Sequence, residues 1–188
     1  MSQDSIQQRN EETLSKALLA TLDARDRLER SNRQDDVVLL NAAQFALLFN
    51  FDLSCLVSDV REHRASWRAK LYGRALAMLM YECADDLTHV LGKQFQDLIA
   101  LRYHEHGVSA LRSLLAELRP LRQLCEERYG PLRDQVVAHR DHNASTQIAL
   151  LRRLDIEQAV STATDFVAWL NRLYEYVTPL LAPVGAGA

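Results

Sequence analysis

The chain reads as an all-α protein, and three features of its 188 residues say so. Apolar residues recur three and four positions apart in nearly every segment, which is the period of one helix face. Breakers are scarce, with 6 Gly and 4 Pro, so long helices meet few interruptions. Aromatic residues are only 7% and β-branched runs are short, which disfavours a sheet. The length suits one domain. We expect a single antiparallel bundle of five to six helices over residues 1–180 and a disordered tail over 181–188.

The first helix is expected from Asp4 to Leu28, with Leu14, Leu18 and Leu22 as its stripe. The polar run Glu29–Asp36 reads as a turn. A second helix, Val37–Val60, is apolar on most sides through Phe51 and should be central. After a polar break at Arg61–Arg64, a third spans Ser66–Leu91 with Leu76, Leu79, Met80, Cys83, Leu87 and Val90 inward, and Gly92 suits its C-cap. A short helix Lys93–Tyr103 should end in the break His104–Gly107, and a fourth long helix start near Ser109 and kink at Pro120. Gly130-Pro131 reads as stop and start, with Pro131 at the first position of a new helix carrying LRDQVVAH. A polar loop covers Asp141–Thr146. The last helix begins near Asp155, which stands in capping-box spacing with Gln158, carries the stripe Ile156, Ala159, Val160, Ala163, Val167, Leu170, Leu173 and Val177, and ends at Pro179.

Charge narrows the function classes. A net charge of -3 excludes the whole-molecule basic field of a strong nucleic-acid binder, so any such contact needs a local patch. Nineteen of the 22 cationic side chains are arginine, the side chain that forks onto phosphate and carboxylate, although a GC-rich genome produces the same bias. Cys55, Cys83 and Cys125 are odd in number, and each lies in an apolar helical pattern. They read as buried free thiols of a reducing compartment. The start MSQDSIQQRNEE has no apolar core of a signal peptide, and the apolar run Val37–Phe51 is interrupted by Asn41, Gln44 and Asn50 and falls short of a bilayer-length helix. A cytoplasmic location and no membrane partner are therefore expected.

One segment carries chemistry: Arg133-Asp134-Gln135-Val136-Val137-Ala138-His139-Arg140-Asp141. Imidazole titrates near neutrality and serves as acid or base, while a guanidinium stabilises phosphoryl charge. A helix start just before Arg133 would add free backbone N–H groups that favour an anion. Asp134 would orient either partner. Six residues turn an ideal helix by about 600°, leaving Arg133 and His139 roughly 120° apart. A distorted helix or a second subunit must then bring them together.

This pattern resembles the signature of the HEPN superfamily: an Arg, a polar residue, and a His after four to six intervening residues, here five. The ending Ala138–Asp141 looks like the abortive-infection branch. The resemblance implies a helical bundle acting as a metal-independent endoribonuclease, with no cofactor, in a toxin–antitoxin or anti-phage setting. The implied site is Arg133, Asp134 and His139, assembled across a homodimer. RNA is the implied substrate, and an antitoxin or defence protein the implied partner. The position of a modified Tyr in some HEPN toxins is Asp141 here, which puts that mode of control in doubt.

Other readings stay open. His139 on an apolar face suits a buried structural histidine, and Arg133 an ion pair with Asp134 or Glu126. The histidines His139, His142, His104 and His106 would suit a metal-binding bundle, but no Glu-x-x-His accompanies them. A non-catalytic HEPN-like module that binds a protein or nucleotide, and a purely structural bundle, are the rivals in other classes.

Overall fold

The computed structural model describes residues 3–64, 66–134 and 144–181. It is all-helical: α1 (Gln3–Arg30), α2 (Gln34–Glu62), α3 (Trp67–Val90), α4 (Lys93–Leu132), α5 (Ala144–Arg153), α6 (Ile156–Val177) and a closing 3-10 turn (Thr178–Leu181), with no strand among the described residues.

The α1–α2 turn is tighter than its polar sequence suggests. Asn32 takes a positive φ of 55°. The Asn32 N–H donates to the Glu29 carbonyl at 3.0 Å and the Arg33 N–H to the Leu28 carbonyl at 3.0 Å. These are the two bonds of a Schellman cap, and Asn is among the few non-glycine residues that fill its left-handed position cheaply. Helix therefore continues to Arg30 and resumes at Gln34, within the stretch expected to be a turn. Asp35 and Asp36 open α2, where carboxylates match the helix dipole.

The elements form two compact units. One comprises Met1–Phe51, Leu87–Leu114 and Leu170–Ala188, the other Asp52–Asp86 and Leu115–Trp169. In the first, Leu39, Ala43, Leu47, Phe95, Ile99, Leu170 and Leu173 are buried. Its buried carboxylate, Asp36, accepts from Arg102 Nη1 at 2.7 Å and pairs with Arg33. Asn50 Nδ2 donates to Asn171 Oδ1. In the second unit, Leu53, Leu76, Met80, Cys83, Ala163, Phe166 and Trp169 are fully buried. The inward stripes expected on α3 and α6 are largely those buried. Phe166 and Trp169, both at 0% exposure, are core residues that the expected α6 stripe left out.

The stripe expected on α1 is only half-buried. Leu14 and Leu18 are half-buried and Leu22 is 55% exposed, while Leu19, outside the stripe, is 61% exposed. The helix meets α2 through polar contacts, with Arg25 Nη1 and Thr21 Oγ1 both bonded to the Gln44 amide. α2 is 29 residues long and holds an 18-residue window apolar enough to cross a membrane by length and composition, a longer apolar helix than the run Val37–Phe51 suggests. Half of that window is buried inside the protein.

Two expected breaks are absent. α4 runs for 40 residues through His104–Gly107, Pro120 and Gly130-Pro131. At Gly107 the missing side chain accommodates Tyr103, since a Cβ there would fall 2.7 Å from Tyr103 Cβ. The Gly107 carbonyl also accepts from Tyr176 Oη at 2.9 Å, and Tyr103 Oη donates to the Leu180 carbonyl. Tertiary bonds thus hold a stretch that polarity alone would fray. Leu118, Cys125, Tyr129 and Leu132 are buried on the turns around the two prolines, and that burial offsets the roughly 3 kcal/mol a helix-interior proline costs. The α3–α4 corner needs Gly92, where a Cβ would lie 2.8 Å from the His89 carbonyl oxygen. α5 begins at Ala144, so Ala144–Thr146 are helical and not part of the expected polar loop, and the helix buries none of its residues. Asp155 caps α6 as its spacing predicts, its Oδ1 accepting from the Gln158 N–H at 3.0 Å.

The Tyr176 phenol is pushed up to about 12 by burial and then by Tyr103. The folded state therefore holds this proton more tightly than the unfolded chain, whose phenol titrates near 10. The stabilisation is complete below pH 10 and lost as pH rises toward about 12. Tyr176→Phe should lower stability by about 1 kcal/mol at neutral pH through the bond to Gly107. It should also flatten the alkaline decline. Urea unfolding followed by circular dichroism at several pH values checks both.

Candidate active site at the end of α4

Arg133 follows directly on Leu132, the last α-helical residue of α4, and with Asp134 continues the chain in a wider, π-type turn. The expected helix start at Pro131 is therefore corrected. The Arg133 backbone is preceded by forty helical residues, so it offers no free N-terminal N–H group to an anion. Pro131 is tolerated inside the helix because its neighbours Tyr129 and Leu132 are locked into the core at 3% and 4% exposure.

Those two buried anchors set Arg133 at the surface, with its side chain 39% exposed. Its Nη1 donates to Asp134 Oδ1 at 3.2 Å. Its Nε lies 3.7 Å from Glu82 Oε1, and its guanidinium carbon sits 5.5 Å above the Tyr81 ring. Gly130 leaves ordinary van der Waals room beside the same ring. The hydrogen bond to Asp134, with Glu82 and Tyr81 behind it, pushes the guanidinium up from its ordinary value. Asp134 thus touches Arg133, one of the two orienting roles considered for it. Of the two partners read for an Arg133 ion pair, Asp134 is present, whereas Glu126 pairs with Arg122 at 2.8 Å. His139 lies outside the described residues, as do Arg140, Asp141 and His142.

Tyr81 and Glu82 were not legible as site residues. They come from α3, some fifty residues upstream, and only the fold brings them to Arg133. Behind this surface lies a buried polar cluster. Cys83 and Cys125 are buried, and burial pushes Cys83 well up and Cys125 to about 12. The Tyr129 hydroxyl is buried with no hydrogen-bond partner among the described residues. Burial raises it too, and the Thr162 side chain opposes that shift without meeting hydrogen-bond geometry. Cys55, expected to be buried, is half-exposed. Among the described residues no group of three or more His, Cys, Asp or Glu is placed to hold a metal ion.

No protein-family model, curated protein or solved structure matches the chain.

A raised thiol stays protonated at neutral pH and is a poor nucleophile. In the folded protein a disulfide reagent should therefore titrate Cys55 alone, and all three thiols once urea is added. Rapid reaction of two or three equivalents under native conditions would contradict the burial of Cys83 and Cys125.

Proposed function

We propose that the chain is a HEPN-type endoribonuclease, a single bundle of five to six helices that cleaves RNA without a metal in a toxin–antitoxin or anti-phage setting. The observation that carries the reading is the Arg-Asp-x4-His motif, with its guanidinium half-exposed and held by the adjacent carboxylate. An exposed ion pair of this kind is weak and easily exchanged. A phosphoryl group with greater charge would displace Asp134 from Arg133.

In the proposed reaction His139 takes the proton from a 2′-hydroxyl, whose oxygen attacks the adjacent phosphorus. The bond to the 5′ oxygen breaks and that oxygen leaves with a proton returned by an imidazole. Arg133 stabilises the charge that builds on the phosphoryl oxygens. The 120° separation of Arg133 and His139 on an ideal helix favours a site completed by the second subunit of a homodimer.

A second reading has its own support. Two carboxylates and a ring already meet Arg133, and no helix start adds to its pull on an anion. That arrangement suits a non-catalytic HEPN-like module whose partner is a protein or nucleotide.

His139→Ala should reduce cleavage of single-stranded RNA by about 10²–10⁴-fold, and Arg133→Ala by a similar factor, with both variants still folded. EDTA should leave the wild-type rate unchanged. A wild-type protein that leaves an RNA pool intact would favour the non-catalytic module. Light scattering should give twice the chain mass at micromolar concentration, and a strict monomer would remove the shared site.

A further inference from the structure

The start of α3 is charged against the trend of the chain. Residues 61–74 carry five cations, Arg61, Arg64, Arg68, Lys70 and Arg74, and one carboxylate, Glu62, in a protein whose net charge is -3. The acids of α3 all stand later, at Glu82, Asp85 and Asp86. Its first turn has no acidic residue, so cations sit at the positive end of the helix, a placement folding itself disfavours. Lys70 Nζ donates to the Arg152 and Leu154 carbonyls, which brings Arg152 and Arg153, at the end of α5, beside this basic segment. Against these seven cations the same segments hold three acids, Glu62, Asp155 and Glu157, so a net positive charge remains. Arg64 stands 3.8 Å from Glu157, and Arg68, Arg74, Arg152 and Arg153 have no ion pair among the described residues.

Within this basic surface stand two exposed apolar side chains. Trp67 is 61% exposed and Leu71, one helical turn on, is 50% exposed, with Arg68 three residues before Leu71 and Arg74 three after it. Folding buries the other tryptophan, Trp169, completely.

We infer that this surface binds single-stranded nucleic acid, with bases stacking on Trp67 and phosphates meeting Arg68, Arg74 and the α5 arginines. Guanidinium groups with no ion pair among the described residues, beside an exposed indole, match what a single strand presents, namely a charged backbone and open base faces. The charge favours a polyanion over a neutral protein surface. Two apolar side chains with an arginine between them offer little area for insertion into a bilayer, which favours the strand over a lipid surface. The inference stands apart from the nuclease reading, because it needs neither Arg133 nor His139.

The test uses the full chain at low salt and oligo(dT) of about fifteen nucleotides, within the site sizes of single-strand binders. Oligo(dT) has no 2′-hydroxyl, so a failure to cleave RNA leaves this measurement untouched. Binding should quench tryptophan fluorescence, and the signal should come from Trp67 because Trp169 is buried. Trp67→Ala should weaken binding of a labelled strand about tenfold by anisotropy. The double variant Arg68→Ala/Arg74→Ala should lower the salt slope of log K by about 1.4, from two lost phosphate contacts. Trp67 and Arg68 are exposed, so the melting temperatures of Trp67→Ala and of Arg68→Ala alone should stay unchanged, and early melting of either would show a packing role and overturn the inference. Absence of quenching would overturn it too. So would a blue shift with phosphatidylglycerol vesicles but none with oligo(dT), which would assign the surface to lipid. Polyglutamate binding as tightly as oligo(dT), with no loss in Trp67→Ala, would also overturn it, leaving charge alone.

Discussion

The uninterrupted run of α4 is the constraint on which the other features depend. Forty residues stay helical across two prolines and a histidine-rich polar stretch because tertiary contacts hold what local sequence would release. Arg102 on this helix reaches the buried Asp36 and the neighbouring Asp35. A buried carboxylate is costly unless it is paired, so α4 must keep its register there. Tyr103 and Gly107 are fixed by bonds to Leu180 and Tyr176 one turn later. Further along, Cys125, Tyr129 and Leu132 are buried, and the helix delivers Arg133 to the surface beside Tyr81 and Glu82.

That continuity explains where the sequence pattern misleads. His104–Gly107 and Gly130-Pro131 carry ordinary stop signals, and both are overridden by partners distant in sequence, which single-chain periodicity does not contain. The turn at Asn32 was legible in place but not in extent, because polarity marks exposure and the Schellman cap needs only three residues between the helices. The inward faces of α3 and α6 were legible, since a 3.6-residue period records burial directly. The α1 stripe was legible in part, since Leu14 and Leu18 are half-buried while Leu22, at the right spacing, stays 55% exposed. α5 buries nothing and so leaves little apolar period to read.

The candidate site divides in the same way. Arg133 and Asp134 are adjacent in sequence, and their contact needs no fold to bring it about. Glu82 and Tyr81 belong to the site only through packing, and they change its reading: the guanidinium is already in company, and an incoming phosphate must compete for it. The supposed helix start would have supplied part of that competition through backbone N–H groups, so the proposed chemistry now falls on side chains alone. The basic segment at the start of α3 shows the converse. Composition excluded a global basic field, yet segregation of charge along one helix leaves a local one.

Amide hydrogen exchange along α4 tests the central claim most directly, because a helical amide exchanges only when its segment opens. With α4 continuous, the amides of Glu105, His106, Gly107 and Val108, and those of Arg128, Tyr129, Gly130 and Leu132, should exchange as slowly as their helical neighbours. Fast exchange confined to Glu105–Val108 or to Arg128–Leu132 would restore a break there. It would contradict the placement of Arg133 at the end of one long helix.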